Sequence, residues 1–210
     1  MRVVLSNVGH RFAGGAWLFR ALSITLMPGR VYSVTGPSGA GKSTLLALLA
    51  GWMTPAEGTI TVPEGVRTGW VFQNPYGTAR RTARDHVAFP FLARGHSPAA
   101  ADARADDLLD VFGLLGRADH PFRELSGGEA QRLMLARGLA AEPDLFLVDE
   151  PTAQLDRETA HAVNASIGAI AAADTIVVVA THDPDTRAAC TDHIVLRREW
   201  TAGATPPSAP

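Results

Sequence analysis

The segment Gly36-Pro37-Ser38-Gly39-Ala40-Gly41-Lys42-Ser43-Thr44 constrains this chain more than any other. It follows the apolar run Val31-Tyr32-Ser33-Val34-Thr35 and leads into Leu45-Leu46-Ala47-Leu48-Leu49. A buried strand, a Gly-rich turn and the first turn of a helix are the setting a phosphate-binding loop requires. Small residues let backbone N–H groups approach a polyphosphate, and the helix N-terminus adds the positive end of its dipole. Lys42 supplies a point charge and Ser43 a hydroxyl ligand for Mg²⁺. Of the chain's 19 Lys and Arg residues, Lys42 is the only lysine. An ammonium on a flexible stem slides between phosphates, whereas a guanidinium prefers planar bidentate contacts. The loop predicts a nucleoside triphosphate as ligand.

A chain of 210 residues buries a sizeable core, and residues 1–200 read as one domain. A net charge of −2 and a pI near 6.4 give no basic field for nucleic acid as main partner. Cys190 is alone, so no disulfide framework exists and a reducing compartment fits. The N-terminal Met1-Arg2-Val3-Val4-Leu5-Ser6-Asn7-Val8 alternates like a strand and lacks the continuous apolar core of a signal peptide. Ala162 to Thr181 comes nearest to a membrane span, but Asp174 interrupts it at a cost of roughly 2.5–3.5 kcal/mol in mid-bilayer. It reads better as a helix and a buried strand. No transmembrane segment is expected, so a membrane role would come through a partner.

In order, Val3 to His10, Leu22 to Leu26 and the strand ending at Thr35 predict an antiparallel sheet with turns at Gly14-Gly15 and Pro28-Gly29. Gly58 to Val62 and Gly69 to Phe72 read as strands around a Pro63-Glu64-Gly65 turn. From Thr82 the composition shifts to Ala, Leu, Asp and Arg, with Ser97 and Pro98 as N-cap and N1 of a helix reaching about Phe112. Residues 82–128 are assigned to this helical lobe, and 201–210, rich in Pro, Ala, Thr and Ser, to a disordered tail. Leu145-Phe146-Leu147-Val148 and Thr175-Ile176-Val177-Val178-Val179-Ala180 are continuous apolar runs, as in a parallel sheet covered on both faces. They end in Asp149-Glu150 and Thr181-His182-Asp183. Ligands sit beyond the carboxyl ends of such strands, so these groups should converge on Gly36 to Thr44.

Asp149 can support Mg²⁺ and Glu150 can take a proton from an attacking water. Leu125-Ser126-Gly127-Gly128-Glu129-Ala130-Gln131-Arg132 opens an amphipathic helix. Ser126 and Glu129 have capping-box spacing, while Gly127 and Gly128 bare N–H groups for a second anion. Two phosphate-binding ends for one nucleotide suggest sites shared between two subunits. The seven histidines show no metal-ligand spacing.

Taken together, Gly36 to Thr44, Gln73, Leu125 to Arg132, Leu145 to Glu150, Leu155-Asp156 and His182 resemble the nucleotide-binding subunit of an ABC transporter across nearly the whole chain. The resemblance implies an α/β P-loop NTPase fold: a RecA-like parallel-sheet core, an N-terminal antiparallel β subdomain and an α-helical subdomain. It implies an Mg-dependent ATP hydrolase. In it Lys42 contacts the β- and γ-phosphates, Ser43, Gln73 and Asp149 serve Mg²⁺, Glu150 is the general base and His182 binds the γ-phosphate. Ser126, Gly127 and Gly128 close on the nucleotide of the other subunit, and Asp156 steadies the seam. The adenine stacks on Phe12, or on Trp17 or Phe19 instead. The implied partners are a transmembrane permease and a second copy or sibling cassette, on the inner face of the cell membrane.

Tyr76, Arg80, Arg81, Arg84 and the Phe89 to Gly95 stretch border the expected docking cleft for the membrane subunit. Val87 to Gly95 further resembles exporters of the lipoprotein-release, macrolide-efflux and haem-efflux type. The chain departs from the family at Ala153-Gln154, and its short span from Lys42 to Gln73 predicts a trimmed antiparallel sheet. No regulatory domain is expected after His182. Two other classes compete: a single-cassette ATPase that regulates a membrane complex without transport, as in cell division, and a soluble P-loop kinase, which would lack the Ser126 segment.

Overall fold

Burial sorts the strands into two sheets. The computed structural model describes residues 1–153, 155–170 and 174–197. Strands β1 (Val3–His10), β2 (Phe19–Leu26) and β4 (Glu57–Thr61) form an antiparallel sheet in the order β2-β1-β4. Strands β3 (Arg30–Thr35), β5 (Thr68–Val71), β6 (Leu145–Asp149), β7 (Ile176–Ala180) and β8 (Asp192–Val195) form a parallel sheet in the order β5-β6-β7-β3-β8.

This corrects one expectation. The strand ending at Thr35 does not join the antiparallel sheet; it pairs with β7 and β8. Its residues Val31, Tyr32, Ser33 and Val34 are all buried, and only a sheet covered on both faces hides such a run. The strands flanking Pro63-Glu64-Gly65 also separate: β4 pairs with β1, whereas β5 pairs with β6.

The two faces of the parallel sheet divide the core. Leu145, Leu147, Ile176 and Val178 face α1 (Lys42–Leu49) and the antiparallel sheet. Phe146, Val148, Val177 and Val179 lie against α4 (Gly127–Ala140), α5 (Arg157–Ile170) and the helices of the lobe. Each fully buried side chain of this size contributes roughly 1.5–3 kcal/mol.

The lobe holds α2 (Ala83–Ala93) and α3 (Pro98–Val111). Thr82 and Asp85 form a capping box at the start of α2, and Ser97 caps α3 with Pro98 in its first turn. Arg84 ties the two helices and the following loop together through Asp106 Oδ1 at 2.7 Å and through Asp119. A short α6 (Pro184–Ala188) precedes β8. Among the described residues no helix is long and apolar enough to cross a membrane. Gln154 and the 201–210 tail lie outside the described residues.

Candidate active site

The turn between β3 and α1 adopts its shape because glycine stands where a side chain would collide. A Cβ at Gly36, whose φ is +153°, would lie 2.6 Å from the Leu196 carbonyl oxygen. One at Gly41 (φ +93°) would lie 3.0 Å from Leu18 Cβ. Gly41 is the N-cap of α1 and no side chain caps that helix, which leaves its first N–H groups for an anion. A cavity of about 400 Å³ opens over this end. Ser38, Gly39, Gly41, Lys42, Ser43 and Thr44 line it from the loop, and Phe12, Gln73, Glu150 and His182 from elsewhere. Of the strand-end residues expected here, Glu150 and His182 reach the cavity, whereas Asp183 caps the short helix that follows.

Glu150 is the hinge of this cluster. Its φ of +45° is uncommon for a residue with a side chain and costs on the order of 1–3 kcal/mol. Its N–H donates to the Ala180 carbonyl at 2.8 Å, which anchors the turn to the end of β7. Oε1 lies 3.3 Å from Lys42 Nζ, and Oε2 accepts from His182 Nδ1 at 2.7 Å and from the His182 N–H at 3.2 Å. Lys42 Nζ also donates to the Gly36 carbonyl at 3.4 Å. Lysine, glutamate and histidine therefore form one chain of contacts over the phosphate-binding turn.

Asp149 closes β6 beside them. Burial pushes its carboxyl above the usual range, and the charge of Glu150 adds to that, while a bond with Ser43 and the charge of Lys42 pull the other way. Its Oδ1 is buried and has no hydrogen-bond partner among the described residues. Asp149 bonds to Ser43, which lines the cavity together with Gln73, so a carboxylate, a hydroxyl and an amide give an oxygen donor set that suits Mg²⁺. Among the described residues no group of three or more His, Cys, Asp or Glu side chains can hold a metal alone. Phosphate oxygens would have to complete the shell.

Of the three aromatics considered for the base, Phe12 lines the cavity and is 54% exposed. Phe19 is buried, and Trp17 lies against the guanidinium groups of Arg11 and Arg20. Leu18 also lines the cavity, a contribution with no sequence signal.

The Ser126 segment begins α4 away from this cavity. Ser126 Oγ accepts from the Glu129 N–H at 3.3 Å, and the Ser126 N–H donates to Glu129 Oε2 at 2.8 Å, so the capping box forms. Burial pushes the Glu129 carboxyl up, but the Ser126 N–H and Arg117 outweigh it and hold it below the usual range. Its two glycines differ. Among the described residues a Cβ at Gly127 meets only Leu155 Cδ2 at 3.9 Å, whereas one at Gly128 would fall inside the Thr159 side chain. Asp156 caps the first turn of α5, accepting from the Thr159 N–H at 3.0 Å and its hydroxyl at 2.7 Å.

A buried polar network missed by sequence reasoning stands behind Glu150 and His182. Thr186 Oγ1 lies 3.0 Å from Thr152 Oγ1, 2.8 Å from Asn164 Oδ1 and 2.6 Å from Asp183 Oδ2. It fastens the turn after Glu150 to the turn after His182. The one legible trace was Asp183-Pro184, an N-cap followed by proline.

The family model for ABC transporters matches residues 19–153. The chain belongs to the ABC transporter family. Within it, this cassette is 36% identical over 180 residues to the lipoprotein-releasing system ATP-binding protein LolD of Chromohalobacter salexigens, covering 78% of this chain and 76% of that one. It is 44% identical over 149 residues to the taurine import ATP-binding protein TauB of Pseudomonas aeruginosa, covering 68% and 56%. Among solved structures it superposes with a TM-score of 0.77 and 28% identity on the ATP-binding cassette MJ0796, a dimer in a post-hydrolysis state bound to ADP and Pi. That match covers 93% of this chain and 94% of that one. This cassette spans 60% of the length of the first curated relatives it matches, uncharacterized ABC transporter ATP-binding proteins of mycobacteria.

Proposed function

We propose that this cassette is the ATP-hydrolysing subunit of a transporter, working as a dimer around two ATP on the cytoplasmic face of a membrane and driving export through a separate transmembrane subunit. The observation that carries the reading is Glu150 held between Lys42 and His182 above the turn of Gly36 to Thr44.

Lys42 and the N–H groups of α1 bind the β- and γ-phosphates, and Phe12 stacks on the base. When Lys42 turns to the phosphates, Glu150 Oε1 is released to face a water. That water attacks the γ-phosphorus in line as its proton passes to Glu150, and the bond to the ADP oxygen breaks to give ADP and phosphate. His182 orients Glu150 through its two bonds to Oε2, and when nucleotide fills the turn its ring N–H swings from Oε2 to the γ-phosphate while the backbone N–H stays on Glu150. Ser43, Asp149 and Gln73 would hold Mg²⁺, which neutralises phosphate charge when bound. Ser126, Gly127 and Gly128 cap the nucleotide of the second copy, in keeping with their place outside this chain's own cavity.

For the membrane partner, the surface beside Gln73 is aromatic. Trp52 stacks on Trp70 at 4.4 Å, Phe72 lies 5.6 Å from Trp70, and Tyr76 and Phe89 are exposed. These residues, with Arg81, are the proposed docking surface; Arg84 is taken up by Asp106 and Asp119 within the lobe.

Glu150→Gln tests the reading. ATP binding should persist, turnover should fall by on the order of 10²–10⁴, and a closed dimer should accumulate on gel filtration with ATP and Mg²⁺. Near-normal turnover would reject the role. A second reading, uptake, is favoured by the likeness to TauB; the direction of transport in vesicles holding the reconstituted complex separates the two.

A further inference from the structure

His86 is buried, sits in the first turn of α2, and takes no part in the chemistry above. Both of its ring nitrogens are nevertheless engaged. Nδ1 lies 2.7 Å from the Thr82 carbonyl oxygen and Nε2 lies 2.9 Å from the Thr78 N. A carbonyl only accepts and an amide N–H only donates, so the ring must carry its proton on Nδ1 and leave Nε2 bare. A single neutral tautomer satisfies both partners.

The segment it holds joins two parts of the nucleotide site. Thr78 follows Gln73 by five residues, and the chain from Thr78 to Thr82 is stitched to the stretch before Ser126. The Phe122 N–H donates to the Arg81 carbonyl at 2.9 Å, the Arg123 N–H to the Ala79 carbonyl at 3.1 Å, and Thr82 bridges Pro121. The Phe122 ring sits 5.4 Å from the His86 ring, and a Cβ at Gly77 would lie 2.5 Å from Phe122 Cδ2. One arm of this knot runs to Gln73, the other to Ser126.

We infer that His86 is a positioning residue: its neutral imidazole clamps the segment after Gln73 to the segment before Ser126, and protonation releases the clamp and slows hydrolysis. A proton on Nε2 would aim N–H at N–H and break the Thr78 bond while leaving the Thr82 bond intact. The charged groups around the ring decide how readily that happens. Burial disfavours the imidazolium, and Arg137 of α4 and Arg81 of the loop disfavour it too. The Thr82 carbonyl and Asp85 of α2 favour it. The balance holds His86 below its ordinary value of about 6.5. The folded state therefore keeps the clamp above that value and loses it as pH falls through the lowered one. A cavity of about 230 Å³ lined by Thr78, Arg81, Asp85 and Arg137 gives water a route to the ring.

The inference rests on the roles proposed for Gln73 and Ser126, and its test separates clamp from consequence. Amide hydrogen exchange of Thr78 and the histidine ring-nitrogen shifts are followed by NMR in the full chain from pH 8.0 downward until the His86 ring has titrated. ATP turnover is measured over the same range. His86→Gln offers an acceptor oxygen that does not titrate; His86→Leu offers none. The wild-type chain should show the Nδ1–H tautomer at pH 7.5 and at least tenfold slower Thr78 exchange than His86→Leu, after correction for intrinsic rates. That protection should vanish as the ring titrates, while His86→Gln keeps it. The turnover ratio of wild type to His86→Gln should drop at least threefold from the top of the range to the bottom, with the KM for MgATP within twofold. Protection that ignores the ring's titration, or His86→Leu with wild-type protection and turnover at pH 7.5, would overturn the inference. The expected exchange pattern in a chain that hydrolyses nothing would support the clamp and count against the active-site reading instead.

Discussion

Replacing Gly128 by alanine probes how the Ser126 helix is seated. The new Cβ would fall inside the Thr159 side chain, overlapping Cγ2 and lying 3.2 Å from its Cβ. Carbon atoms prefer about 3.5–4.0 Å, so α4 and α5 must part or Thr159 must rotate. Rotation sacrifices the 2.7 Å bond from its hydroxyl to Asp156 Oδ2. Overpacking of this kind costs about 1–3 kcal/mol. Alanine also gains helix propensity over glycine, up to about 1 kcal/mol in a helix interior, so a control is needed. Gly127→Ala supplies it, because among the described residues its Cβ meets only Leu155 at 3.9 Å. The difference between the two variants isolates the collision. Urea melts followed by the fluorescence of the chain's four tryptophans should place Gly128→Ala about 1–3 kcal/mol below Gly127→Ala. Thr159→Ser removes Cγ2 and keeps the hydroxyl on Asp156, so adding it to Gly128→Ala should recover most of that loss as a coupling energy on the order of 1–2 kcal/mol. Equal stability of the two alanine variants, or no recovery with serine, would refute the packing argument.

Lys42→Ala should abolish nucleotide binding, since no other lysine exists to replace it; unchanged affinity in a nucleotide titration would contradict the phosphate role. Phe12→Ala should weaken ATP binding by about 1–3 kcal/mol while Trp17→Ala leaves it within twofold, as read by calorimetry. Burial pushes the Asp183 carboxyl up, but bonds from the Thr186 hydroxyl and N–H and the Asp185 N–H outweigh it and hold it below the usual range. Its contribution to stability should therefore be present at neutral pH and lost as pH falls through its lowered value. Asp183→Asn should flatten that acid limb in melts from pH 3 to 7. Charge reversal at Arg81 should reduce co-purification with the membrane subunit, whereas reversal at Arg84 should instead destabilise the lobe.

Much of the site was legible because its chemistry is local. The run Gly36 to Thr44 carries its own backbone requirements, and Ser126 with Glu129 sits at the spacing the formed capping box uses. Asp149, Glu150 and His182 were readable as the polar ends of continuous apolar strands. What failed was assignment of strands to sheets. The run ending at Thr35 carries no label for its partners, since parallel pairing joins it to residues more than a hundred positions away.

The residues themselves determine that a phosphate-binding turn lies between a buried strand and a helix, that a second glycine-bearing helix start exists, and that two apolar strands end in acids and a histidine. Folding alone decides that Glu150 bridges Lys42 and His182, that Phe12 rather than Trp17 or Phe19 faces the cavity, and that His86 bonds at both nitrogens. The division has a physical cause. Backbone conformation and capping depend on neighbours a few residues away, whereas a side chain's partners depend on which distant segments the sheet order brings beside it.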